Sequence, residues 1–155
     1  MISYEKVKQS FRSFTIVNIV LNAILTVLYI FGIFGIFIIK MNLDNPEFTA
    51  LYTEEQLAAL KSSVTPFAIF TTVLYIAIAI AIIVLSAINL SKAKKDLELS
   101  YIPHFMGTAI AVFNIIFSFT NGFSLTTILM QSAFIALYFY TYTRAKTLNN
   151  REIEE

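Results

Sequence analysis

TIVNIVLNAILTVLY, residues 15–29, decides how this chain is read. Nearly every side chain in it is apolar, yet Asn18, Asn22 and Thr26 recur at every fourth position. On a helix, positions i, i+4 and i+8 line one face. Hydrocarbon offers an amide no hydrogen-bond partner, so in a membrane that stripe must turn toward other protein.

The apolar run extends outward from this core to about 14–39. A crossing takes about 20 mainly apolar residues, because the hydrocarbon layer is about 30 Å thick. Three further runs qualify, at about 67–90, 103–120 and 123–143. None of the four contains Asp, Glu, Lys or Arg. At about 1.5 Å per residue the first span would reach roughly 39 Å, so it tilts or projects. YIAIAIAIIVL (75–85) alternates Ile and Ala with period two, normally a strand signal, but it lies within an apolar run long enough to cross and is assigned to helix. On that helix Ala77 and Ala81 would form a small-residue contact strip. Gly32 and Gly35, in FGIFGIF, are expected to permit close helix approach.

Composition agrees. The chain is 57% hydrophobic and 14% charged, against about 45–50% and roughly 25% for a soluble domain, which puts it in the membrane class. It has no cysteine, excluding a disulfide framework, a thiolate nucleophile and cysteine-ligated metal. It has no tryptophan, so interfacial anchoring falls to Tyr and Phe. The first apolar run exceeds the 7–15 residues usual in a signal peptide and is expected to be retained.

Of the 11 Lys and Arg residues, only Lys40 and Lys61 fall on one side of this arrangement. Lys6, Lys8 and Arg12, then Lys92, Lys94 and Lys95, then Arg144, Lys146 and Arg151 fall on the other. The positive-inside rule makes that side cytoplasmic. The expected fold is therefore all-α: an integral membrane four-helix (tetraspan) bundle, up-down-up-down, forming one domain. The outer loop is 40–66, the cytoplasmic loop 91–102, and the cytoplasmic tails 1–13 and 144–155. A turn at Asn121-Gly122 would make the last two helices antiparallel neighbours. Lys92, Lys94 and Lys95 set topology on one reading and contact anionic lipid headgroups on another, although three lysines fall short of the four to eight expected of such a cluster.

The outer loop carries helix signals. Thr53 and Gln56 fit a capping box, Tyr52 and Leu57 a hydrophobic staple, and Asn45-Pro46 a second helix start. Leu57, Leu60 and Val64 share a face. With Tyr52 they either cap the helices or dock an extracytoplasmic partner. The stripe Tyr4, Val7, Phe11 and Phe14 belongs to an amphipathic surface helix or to a plain extension of the first span. The tail TRAKTLNNREIEE is polar and expected to fray.

Depth along the spans suggests partners for the stripe. Asn18 is level with Ser86 and Asn89. Asn114 and Ser118 share a face with Gly107 and Ala111, and Gln131 lies at the depth of Asn114. Tyr29 and Tyr75 are also level. These polar groups either pack helix against helix or line a cavity.

Absent chemistry narrows the function classes. An ion-coupled transporter or proton pump carries an ionisable side chain within a span, and no inverted repeat is visible. The only histidine, His104, sits beside Pro103 at the start of the third span, as an interfacial residue or a pH sensor. No residue pattern suits a catalytic pair, a metal or a cofactor, and nothing indicates nucleic acid. The glycosylation triplet at Asn89 falls on the cytoplasmic side. Abundant Ile, Asn, Lys and Phe hint at an AT-rich bacterium and its plasma membrane. The expectation is a non-catalytic multi-pass protein, an accessory, assembly, regulatory or immunity-type partner of another membrane component or a homo-oligomer. The alternative is an oligomeric permeation or lipid-handling module lined by the intramembrane Asn, Thr and Ser faces.

Overall fold

A computed structural model describes residues 3–120 and 123–150. All regular structure among them is helical: α1 (Tyr4–Asn42), α2 (Pro46–Thr49), α3 (Glu54–Ser63), α4 (Pro66–Lys94), α5 (Ile102–Thr120) and α6 (Leu125–Asn150). Three of these, α1, α4 and α5, are long and apolar enough to cross a membrane. The Ile–Ala alternation lies inside α4, so the length of the apolar run outweighed its period. The expected turn at Asn121-Gly122 lies outside the described residues, as does Arg151.

The chain divides into two compact units, Met1–Ala23 with Ala79–Glu155, and Ile24–Ile78. In the first, the buried positions form one repeating pattern. They are Val7, Phe11, Thr15, Asn18 and Asn22 on α1, and Ala79, Ile82, Ser86, Asn89 and Ala93 on α4. On α5 they are His104, Gly107, Ala111 and Ser118, and on α6 Gln131, Tyr138, Thr141, Ala145 and Leu148. Steps of three and four residues recur on each helix, the spacing that keeps one side chain row facing a neighbouring helix. These rows hold mostly small or polar side chains. The large apolar ones, such as Val20, Ile88, Phe113, Ile116, Leu129 and Phe139, are exposed. A water-soluble core has the opposite arrangement.

α5 and α6 pack closely and run antiparallel, because contact positions rise on one as they fall on the other: His104 meets Thr141, Gly107 meets Tyr138, and Ser118 meets Ser124. Gly107 makes that approach possible. A Cβ there would overlap the Tyr138 ring. Gly32 and Gly35 do not act in this way, contrary to expectation, since a Cβ on either would meet open space. Nor does Ala77 contribute to a contact strip. It is exposed, and the buried row of α4 passes through Ala79 instead.

α1 runs unbroken from Tyr4, so the N-terminal segment is an extension of the first long helix. Val7 and Phe11 join Ala93, Leu99, Ala145 and Leu148 in an apolar cluster, with Tyr4 and Tyr101 against it. Of the tail expected to fray, the described part up to Asn150 is helical and buries Ala145 and Leu148, while 151–155 lie outside the described residues.

In the second unit, Thr53 caps α3 with a complete capping box: the Gln56 N–H donates to Thr53 Oγ1 (3.3 Å) and the Thr53 N–H to Gln56 Oε1 (3.0 Å). Asn45 caps α2 by accepting from the Glu47 N–H at 2.9 Å, with Pro46 in the first position. Val64 is buried and Leu57 and Leu60 are half-buried. Tyr52 stays exposed beside the Phe48 ring at 5.1 Å. Tyr29 and Tyr75 stack, 5.6 Å between centroids and 16° apart.

Candidate functional site: a polar seam and a clamped loop

The α1 stripe meets α6. Asn18 Nδ2 donates to Thr141 Oγ1 at 3.2 Å. Asn22 Nδ2 donates to the Tyr138 hydroxyl at 2.7 Å and to the Asn18 carbonyl at 2.8 Å. Depth matching had pointed to Ser86 and Asn89 as partners of Asn18. Depth ranks residues along the membrane normal but says nothing about which helix is adjacent. Thr26 and Asn114 are half-buried, and Ser86, Ser118 and Gln131 are buried. Ser118 Oγ accepts the Ser124 N–H at 3.3 Å, holding the start of α6, which Ser124 itself caps through the Thr127 N–H at 3.2 Å.

Thr141 also lies 3.0 Å from His104 Nδ1, so α1, α5 and α6 meet at one hydroxyl. His104 is 2% exposed, with the Phe11 ring edge-on at 6.4 Å; it is an interior side chain. Its Nε2 has no partner among the described residues, and neither have the buried atoms Thr15 Oγ1, Asn18 Oδ1 and Arg144 Nε. The Arg144 guanidinium lies over the Tyr140 ring at 4.8 Å, and the Tyr140 hydroxyl bonds Ser10 at 2.8 Å.

Asn89 works elsewhere. It is fully buried at the end of α4 and clamps the 95–101 loop, its Oδ1 accepting from the Ser100 N–H (2.9 Å) and its Nδ2 donating to the Ser100 carbonyl (2.7 Å). That engagement removes it as a glycosylation acceptor. Asn149 on α6 makes the same pair of bonds to the preceding residue: the Leu99 N–H donates to its Oδ1 (2.8 Å) and its Nδ2 to the Leu99 carbonyl (2.9 Å). Successive residues of extended backbone present their polar groups to opposite sides. Two amides, Asn89 of α4 and Asn149 of α6, thus take the polar groups of successive loop residues, as neighbouring strands would.

The same loop holds the start of α1. α4 closes with the Leu97 N–H donating to the Lys92 carbonyl at 3.0 Å, and between them Asp96 takes φ 53°. That left-handed position usually belongs to glycine. Here the carboxylate accepts from the Tyr4 hydroxyl (2.7 Å) and from Lys8 Nζ (2.6 Å). Its bonds raise both groups above their ordinary values, Lys8 through the hydrogen bond to Asp96 and Tyr4 through the same hydrogen bond, burial and the carboxylate charge. Both residues precede the 14–39 span.

Lys92 is half-buried, and Lys94 and Lys95 are exposed. Lys94 lines a cavity of about 440 Å³ with Glu5, Lys6, Lys8, Gln9 and Arg12 of α1. Among the described residues, no three His, Cys, Asp or Glu side chains converge as a metal would require.

Sequence reasoning missed Asn149, Asp96, Tyr138 and Thr141. The first two lie in polar segments that carry no periodic signal, and the hydroxyls of the other two resemble ordinary interfacial Tyr and Thr. The chain matches no protein-family model, no curated protein and no solved structure.

Proposed function

We propose that the chain is a non-catalytic multi-pass protein of a bacterial plasma membrane, with four spans and both termini cytoplasmic, acting as an accessory, assembly, regulatory or immunity-type partner of another membrane component. The observation that carries this reading is the engagement of the amides: Asn18, Asn22, Asn89 and Asn149 all tie helix to helix or helix to loop. Such groups hold a scaffold together and do not offer themselves to a substrate.

A fourth span is supported by where α6 keeps its polar groups. Gln131, Tyr138 and Thr141 are buried, whereas Leu125, Leu129, Met130 and Phe139 are exposed. Mean hydropathy counts both faces alike and so undervalues a helix whose polar side faces protein. Orientation is supported by the Lys and Arg asymmetry. Tagged full-length protein extracted in several mild detergents tests the functional reading: a discrete membrane complex is expected, and a solitary monomer in every detergent would count against it.

A second reading, an oligomeric permeation or lipid-handling module, draws on the unpartnered Thr15 Oγ1, Asn18 Oδ1 and His104 Nε2, which are buried polar atoms of the kind that interior water satisfies. Single cysteines at positions 22 and 114 separate the two. Labelling of both by a water-soluble thiol reagent favours the module, and protection of both favours the packed scaffold.

A further inference from the structure

The cavity at the start of α1 has the composition of an anion site. Glu5, Lys8, Gln9 and Arg12 are three or four residues apart and share a face of α1. Lys6 flanks them and Lys94 closes the cavity from the end of α4. Four cations face one carboxylate. Lys8 is held by Asp96, whereas Lys6, Arg12 and Lys94 are exposed and make no ion pair among the described residues. The α1 N-terminus adds the positive end of a 39-residue helix. A volume of about 440 Å³ falls within the range of about 300–1,000 Å³ typical of small-ligand pockets. Height also matters. The exposed apolar surface of α1 begins with Phe14, Ile16 and Val17, directly after Arg12. A phosphate in this cavity would lie at the edge of that apolar surface, where headgroup phosphates lie.

We infer that Lys6, Arg12 and Lys94 bind a phosphate group, Arg12 through its planar guanidinium fork and the two lysines as point charges, with Lys8 positioned beside them by Asp96. The lining of one cavity by these cations from α1 and α4 defines the site. The inference rests on the proposed reading that this end of α1 meets the membrane surface.

The test uses full-length protein in neutral detergent and follows its thermal midpoint against three probes: short-chain phosphatidylglycerol, inorganic phosphate and short-chain phosphatidylcholine. A saturable rise with phosphatidylglycerol and none with phosphatidylcholine is expected. If inorganic phosphate gives no rise, the ligand is a lipid headgroup; if it also saturates, the site takes free phosphate. Either outcome upholds the phosphate site. Lys6→Gln/Arg12→Gln is expected to weaken binding about 25-fold, at about five-fold per cation, while Lys92→Gln/Lys95→Gln weakens it less than about three-fold (about two-thirds of one cation's effect on a logarithmic scale). Lys94→Gln alone, expected to cost about five-fold, serves if the double variant loses its ligand-free midpoint. No saturable shift with phosphatidylglycerol or phosphate, or equal losses from the two double variants, would overturn the inference. A failure here with a discrete complex still recovered in mild detergent would leave the proposed function standing.

Discussion

Asn89→Ala is expected to be the most damaging amide substitution in the chain. Asn89 is fully buried and makes two bonds to one backbone residue, at 2.7 and 2.9 Å. Each such bond contributes about 1 kcal/mol net, and a polar group left unpaired costs about 1–3 kcal/mol. Ser100 is half-buried, so water can recover part of that cost. The sum is about 2–4 kcal/mol, a large fraction of the roughly 5–15 kcal/mol that holds a domain folded. Asn18→Leu provides the contrast. It removes one longer bond, at 3.2 Å, together with a buried carbonyl oxygen that has no partner. Interhelical bonds between side chains in membranes average about 0.6 kcal/mol, so this change is expected to cost less than about 1 kcal/mol. Reversible unfolding in mixed micelles measures both. Amide exchange adds a local readout: the Ser100 N–H is expected to be protected in the parent protein and to exchange about 100-fold faster in Asn89→Ala, with Leu99 less affected because Asn149 still holds it. If Asn89→Ala cost under about 0.5 kcal/mol (about half of one such bond), or if Ser100 exchanged freely in the parent, the clamp would not exist in solution.

Three further outcomes follow from particular contacts. Gly107→Ala is expected to push the Tyr138 ring away, break its bond to Asn22 and cost about 1–3 kcal/mol, with partial recovery when Tyr138→Leu makes room; thermal unfolding of the single and double variants checks this. Asp96→Gly is expected to change overall stability little, because about 1–2 kcal/mol of left-handed backbone cost is relieved as the contacts to Tyr4 and Lys8 are lost, while amide exchange over residues 4–10 accelerates; unchanged exchange there would show that Asp96 holds nothing. Lys8 and Tyr4 are both raised by Asp96, so folding favours their protonated forms. That contribution is whole below their ordinary values of about 10 and is lost as pH climbs through the raised ones. From about pH 8 to about pH 11.5 the thermal midpoint of the parent is therefore expected to fall more steeply than that of a Tyr4→Phe/Lys8→Met variant; parallel decline would contradict the latch.

Much of the fold was legible because membranes impose simple rules. Uncharged runs of spanning length marked α1, α4 and α5, and the Thr53 and Asn45 caps were visible as motifs because local backbone geometry decides them. The inward turn of Asn18 and Asn22 was also readable, since lipid offers an amide no partner. Which helix would receive them was not. That depends on helix order around the first unit, and periodicity is silent on order. The glycines show the same limit. Gly107 and Gly32 look alike in sequence, but only Gly107 lies under a tyrosine ring. The loop clamp was least visible, because Asn149 and Asp96 act through the backbone of a segment with no periodic pattern of its own.

The most direct test of a four-span protein with an inward polar seam is collision accessibility of single spin labels in bilayers, which the absence of native cysteine makes clean. Labels at Val20, Leu129 and Phe139, all at least half exposed, should collide freely with oxygen and hardly at all with a water-soluble nickel chelate, and a label at Lys146 should do the reverse. Ready nickel access at Leu129 and Phe139 would place α6 in water and contradict the fourth span.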